Sequence, residues 1–223
     1  MLRLDGVDVH IEGVHVLRGV SFALRAGQTT ALIGRNGAGK TTTLRAVMGL
    51  VPVTRGAIFL GDRPLDGLKP HQRPALGIGY APEDRRLFGG FSVEDNLLLP
   101  LEVAGRPAAD GRRRLEAIYE LLPEVAEMRA RPAGSVSGGQ GKMVALGRAL
   151  MIGARLVLLD EPFQGLAPAL AGRYAAALRR LSAFERDLTL LVAESNPNLL
   201  EGLAATTLTI ERGEVAAGAP PPG

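Results

Sequence analysis

From Leu2 to Ile11 apolar and polar residues alternate, the period of a strand with one buried and one wet face. Residues 20–24 repeat the pattern and close at Ala26-Gly27, which predicts an antiparallel β piece at the N-terminus. Further along, Thr29–Ile33, 156–159 and 188–192 are short apolar runs, as expected of strands buried on both faces of a parallel sheet. Shorter strands are predicted at 57–60 and at Ile78–Ala81, and residues 206–210 turn through Glu211-Arg212-Gly213 into Glu214-Val215. Helical spacing fills the intervals. Residues 41–50 hold no Pro and one late Gly, and 170–184 also read as a helix. Ser92-Val93-Glu94-Asp95 is a capping signal for a helix carrying Leu97, Leu98, Leu99 and Leu101, which Pro100 should kink or shorten. Asp110 is placed to cap a second helix, with Leu115, Ile118, Tyr119 and Leu122 at helical spacing, and a third begins near Gly139 with Met143, Leu146 and Leu150. Residues 85–151 are therefore expected to form a helical subdomain inserted in an α/β core of 1–84 and 152–215, with 216–223 an unstructured tail of small residues and Pro.

Composition narrows this picture. A chain of 223 residues accommodates one large core with a smaller lobe, and with aromatics at 4% that core must be built from Ala, Val, Leu and Ile. With no Cys, disulfides, thiolate metal sites and cysteine nucleophiles are excluded. The net charge of +3 is a mild basic excess; its densest run, Arg112-Arg113-Arg114, reads as a solvated helix face without interleaved aromatics, so nucleic acid is not an expected partner. No apolar run approaches the roughly 20 residues of a membrane span, and the N-terminus lacks a signal-peptide core. The expectation is a cytoplasmic protein that meets a membrane only through a partner. His10, His15 and His71 have no metal-ligand spacing.

The chemistry lies between the elements. Gly34-Arg35-Asn36-Gly37-Ala38-Gly39-Lys40-Thr41-Thr42 fits the phosphate-loop pattern Gly-x-x-x-x-Gly-Lys-Ser/Thr between a predicted strand and a predicted helix. In such a loop the backbone N–H groups face the phosphates of a nucleoside triphosphate, Lys40 reaches the outer ones, and the Thr41 hydroxyl holds Mg2+. The apolar run 156–159 ends in Asp160-Glu161, where Asp160 is expected to hold Mg2+ directly or through water and Glu161 to orient and deprotonate the attacking water.

Between these two motifs stands Ser137-Gly138-Gly139-Gln140, and the order of the three resembles the ATP-binding cassette across nearly the whole chain. The resemblance implies a P-loop NTPase fold of class α/β, with a mostly parallel sheet, the antiparallel N-terminal β piece and the inserted helical subdomain. It implies ATP and Mg2+, and a second cassette bound head to tail, so that Ser137, Gly138, Gly139 and Gln140 cover the γ-phosphate held by the partner's loop. Gly165-Leu166-Ala167 matches the loop that aligns the halves. Pro82-Glu83-Asp84-Arg85-Arg86-Leu87-Phe88, residues 91–97 and 147–151 are closer to the ATP-binding subunits of branched-chain amino-acid importers and their amide and urea relatives. In that branch Glu83 stands where most cassettes have the glutamine that senses Mg2+ and the water. The segment with its helical neighbour would receive a coupling helix from a transmembrane permease subunit, leaving the chain peripheral on the cytoplasmic face of the inner membrane.

Three positions depart from the family pattern. Ile11, with His10 beside it, stands where an aromatic usually lies under adenine; Gly141-Lys142 replaces the commoner glutamines and is expected to loosen the signature helix; Ser195 replaces the His, or in this branch Gln, that contacts the γ-phosphate. The leading reading is an ATP-hydrolysing importer subunit, as a homodimer or paired with a similar cassette. Ser195 and Ile11 motivate the alternative of a weakly hydrolysing partner cassette in a heterodimer, against which stand Lys40, Thr41, Asp160 and Glu161. A cassette acting on DNA or the ribosome would be expected to carry two cassettes or a long coiled coil. The cargo is not written in this chain.

Overall fold

The computed structural model describes residues 1–105, 107–184 and 187–217. The N-terminal β piece is a four-stranded antiparallel sheet. β1 (Leu2–Ile11) pairs with β2 (Val14–Ala23) and, on its other side, with β4 (Arg55–Leu60), which pairs with the short β5 (Arg63–Pro64). Sequence placed the second strand at residue 20. It begins at Val14, because three register shifts between β1 and β2 slip the alternation on which period-two reading depends.

The second sheet has six strands in the order β10-β9-β3-β8-β7-β6. β3 (Thr29–Ile33), β6 (Ile78–Ala81), β7 (Leu156–Asp160), β8 (Thr189–Glu194) and β9 (Thr206–Glu211) run parallel, and β10 (Glu214–Ala217) closes an antiparallel hairpin. The apolar runs divide cleanly by parity. Ala31, Val157, Leu159, Leu190 and Val192 join one core, and Leu32, Leu156, Leu158, Leu191 and Ala193 the other. The second core is filled by the antiparallel sheet and by α1 (Lys40–Val47).

The first core is shared by five helices: α2 (Val93–Val103), α3 (Ala108–Leu121), α4 (Pro123–Glu127), α5 (Gly138–Ile152) and α6 (Pro168–Phe184). The helices α2 to α5 between β6 and β7 thus have no core separate from the sheet. α5 lies on β6 so closely that a Cβ on Gly79 would stand 2.1 Å from the Ala149 carbonyl oxygen.

Several boundaries differ from expectation for local reasons. α2 starts as predicted, Ser92 and Asp95 forming a capping box, but runs through Pro100 because Leu101 in its last turn is buried in the core. α3 begins before Asp110, which sits in its first turn while Pro107 takes the cap position. The helix α4 had no periodic signal at five residues. The expected tail loses its first two residues to β10, where Ala216 and Ala217 pair with Thr209 and Leu208; 218–223 lie outside the described residues.

Candidate functional site

The loop after β3 is shaped by its neighbours. A Cβ on Gly34 would lie 2.4 Å from the Ile210 carbonyl oxygen, and Gly39, at φ 115° just before α1, has Leu17 and Ile210 within 3.0 Å of where a Cβ would be. The loop forms one wall of a cavity of about 680 Å3. Asn36, Gly37, Gly39, Lys40, Thr41 and Thr42 line it, Ile11, Val14 and Val16 come from the β1–β2 hairpin, and Glu83 and Glu161 follow β6 and β7. Gly34, Arg35 and Ala38 line the cleft on the loop's other side, together with Ser195.

Lys40 Nζ donates to the carbonyls of Gly34 at 2.6 Å and Arg35 at 3.2 Å, and pairs with Glu161 Oε1 at 3.0 Å. Thr41 Oγ1 donates to Asp160 Oδ1 at 2.9 Å, and Tyr80 OH donates to Oδ2 at 3.1 Å. Burial raises the Asp160 carboxyl above its ordinary range, Thr41 and Tyr80 oppose that, and Glu83 adds to it. The Tyr80 hydroxyl is pushed far up by burial and by Asp160. No cluster of three or more His, Asp or Glu able to hold a metal occurs among the described residues. A hydroxyl, a carboxylate and a nearby second carboxylate fit Mg2+, which takes few protein ligands and completes its shell with phosphates and water.

Glu161 begins the turn after β7 with a left-handed backbone, φ 46°, and is 4% exposed. Its amide donates to the Ala193 carbonyl at 2.9 Å, and its own carbonyl accepts from Lys142 Nζ. Glu161 Oε2 accepts from the Ser195 amide at 3.3 Å and the Ser195 hydroxyl at 3.2 Å. Burial pushes Glu161 up, but contacts with Glu194, Lys40 and the Ser195 amide outweigh it and hold the carboxyl below its ordinary value. Glu194 moves the other way, raised to about 7 by burial and by Glu161. Ser195 therefore meets the Glu161 carboxylate.

Sequence reasoning missed Tyr80 and Glu194, and read Lys142 only as a departure that loosens its helix. The available signals were a carboxylate closing an otherwise apolar run at Glu194, and one of only three lysines on the signature helix at Lys142.

Ser137 caps α5: its hydroxyl accepts from the Gln140 amide at 3.2 Å, and Gln140 Oε1 accepts from the Ser137 amide at 2.9 Å. Ser137 and Gly138 are exposed, Gly139 and Gln140 half-buried, and none of the four lines the loop cavity. Gly141-Lys142 does not leave this helix loose. Gly141 packs against Arg85, and Lys142 is tied to the Glu161 carbonyl. Ile11 reaches the cavity at 38% exposure, whereas His10 faces away and stacks on His15 with ring centroids 4.2 Å apart.

A separate apolar groove of about 820 Å3 runs beside β6 between the 68–76 segment and α2, with Leu76, Phe88, Leu99 and Val103 in its lining. Phe88 and Val103 are exposed. No helix among the described residues is long and apolar enough to cross a membrane.

Residues 17–164 match the model of the family described as ABC transporter. The chain is 34% identical over 206 residues to the lipopolysaccharide export system ATP-binding protein LptB of Acidithiobacillus ferridurans, covering 92% of this chain and 84% of LptB. It is 33% identical over 215 residues to the high-affinity branched-chain amino acid transport ATP-binding protein BraG of Pseudomonas aeruginosa, covering 96% and 91%. Among solved structures, the ADP conformation of MJ1267, an ATP-binding cassette of an ABC transporter, superposes with a TM-score of 0.85 at 25% identity, covering 99% of this chain and 91% of that one.

Proposed function

Because the chain belongs to the ABC transporter family and is its nucleotide-binding, ATP-hydrolysing subunit, we propose that it energises import of branched-chain amino acids or a related amide or amino-acid cargo. Similarity to BraG along nearly the whole of both chains supports this reading, as do Glu83 and the segment around it. The comparable similarity to LptB favours a second reading, an exporter's subunit. Isolating the complex from membranes and identifying the integral proteins that accompany it decides between them: a permease of the amino-acid importer type supports the first, a lipopolysaccharide-export permease the second.

Within the site, Lys40 is the cation positioned to exchange Glu161 and the two loop carbonyls for the outer phosphates, which frees Glu161 to take a proton from water. Thr41 and Asp160, with Glu83 nearby, are the residues that would hold Mg2+, whose charge offsets that of the phosphates. Ile11, Val14 and Val16 offer the base an aliphatic surface in place of an aromatic one. Ser137 and Gly138, exposed, and the half-buried Gly139 lie away from the cavity and are free to cap the site of a second cassette, and the apolar groove beside α2 suits a helix from a transmembrane subunit.

The observation that carries the hydrolytic reading is the buried Lys40–Glu161 pair beside Thr41–Asp160. Glu161→Gln is expected to keep ATP affinity, lose turnover by on the order of a hundredfold or more, and accumulate an ATP-bound dimer by size-exclusion chromatography. Turnover at the wild-type rate would remove Glu161 from the role of base.

A further inference from the structure

Asp160 is a buried carboxylate, 2% exposed, and each of its oxygens has a donor of its own. Thr41 Oγ1 donates to Oδ1 at 2.9 Å, and Tyr80 OH donates to Oδ2 at 3.1 Å. The two donors differ in kind. Thr41, in the first turn of α1, lines the phosphate cavity and belongs with Asp160 to the residues that would hold Mg2+. Tyr80 reaches the carboxylate from β6, at the edge of the sheet, and gives its proton to it.

The parallel register makes this contact. Tyr80 is paired with Leu158 across β6 and β7, and Asp160 follows Leu158 by two residues, on the same face. That offset is about 7 Å along the strand, a span that a phenol crosses and a Ser or Thr hydroxyl does not. The Tyr80 ring packs against the second core, which fixes where its hydroxyl stands. The hydrogen bond involves neither Lys40 nor the loop carbonyls, the contacts exchanged when phosphates bind.

A carboxylate free to turn about its last torsion can offer a cation either oxygen; a donor fixed on one of them decides which. We propose that Tyr80 is a positioning residue for the metal site: its hydroxyl pins Oδ2 of Asp160, so that Oδ1, beside Thr41, is the oxygen turned to Mg2+, directly or through water. The inference rests on Thr41 and Asp160 being the residues that hold Mg2+. Tyr80 itself neither binds the cation nor gives up its proton.

The test uses the full chain and a non-hydrolysable ATP analogue, whose Kd is measured with Mg2+ and with EDTA for wild type, Tyr80→Phe, Asp160→Asn and the double variant. Tyr80→Phe keeps the ring in the core and removes only the hydroxyl. Wild type is expected to bind the analogue more tightly with Mg2+ than without; Tyr80→Phe should lose on the order of tenfold of that gain, with its Kd in EDTA within about twofold of wild type. In turnover, the Mg2+ concentration that gives half the maximal rate should rise in Tyr80→Phe by a similar factor. On the Asp160→Asn background the same change should add less than about twofold, because the two side chains act as one unit. An unchanged gain from Mg2+ in Tyr80→Phe, an equal loss of affinity with and without Mg2+, or full additivity with Asp160→Asn would each overturn the proposal. If Tyr80→Phe does not fold, Tyr80→Leu, which also lacks the hydroxyl, is held to the same outcomes. A wild-type gain in Asp160→Asn removes Asp160 from the metal site, whereas a loss in Asp160→Asn with wild-type behaviour in Tyr80→Phe removes only the positioning role.

Discussion

The Ser195 side chain is short, yet it has a definite task, since its hydroxyl and amide both hold Glu161 Oε2. Removing the hydroxyl leaves the amide in place, so Ser195→Ala should lower kcat by roughly threefold to tenfold with little change in KM, as steady-state kinetics would show. Glu194 also carries a stability signature. Its carboxyl is raised in the folded chain from 4.5 to about 7, so its stabilisation is complete below its unfolded value and is lost as pH rises through about 7. Asp160, likewise raised by burial, acts in the same sense; Glu161, lowered, contributes above its unfolded value and stays constant through the neutral range. Thermal unfolding is therefore expected a few degrees lower near pH 8 than near pH 5.5, with the difference reduced in Glu194→Gln. Lys40, Thr41, Asp160 and Glu161 were legible in the sequence because each belongs to a motif whose spacing is set by phosphate chemistry. Glu194 and Tyr80 were not, because no local pattern states which carboxylate or hydroxyl a parallel register brings alongside.

Among the elements, α5 carries the most. It starts with the signature cap, fills the first core with Met143, Leu146 and Leu150, and presses on β6 at Gly79. Gly79→Ala should force α5 off the strand and destabilise the fold by about 2–3 kcal/mol, read as a lower denaturant midpoint with unchanged slope. The parallel strands were read well from their apolar runs, which need no turn chemistry. Helix starts were read where a side chain makes the cap, as at Ser92 and Ser137, and misread at α3, where Pro107 holds the cap position and Asp110 only joins the first turn. β2 was clipped because bulges break its period.

For the molecule as a whole, one sheet partitions two cores, and every helix from 93 to 152 packs on one side of it. Ser137 and Gly138 are exposed and lie apart from the phosphate cavity, and on the proposed head-to-tail reading a cassette supplies two different halves of two sites. An equal mixture of Lys40→Ala and Ser137→Arg chains, each inactive alone, should regain about a quarter of wild-type turnover, since half the dimers are mixed and each mixed dimer has one intact site. No recovery on mixing would argue against a site completed in trans. Lys142 gives this arrangement a further property. Rooted in α5, five residues after Ser137, it grips the main chain of Glu161. Any tilt of α5 that lifts Ser137 away from a partner's nucleotide must pull on, or break, the tether to the chain's own Glu161. On the proposed head-to-tail reading the two ends of one subunit are geared together, and a dimer of such subunits would be a closed loop in which release at one nucleotide is felt at the other.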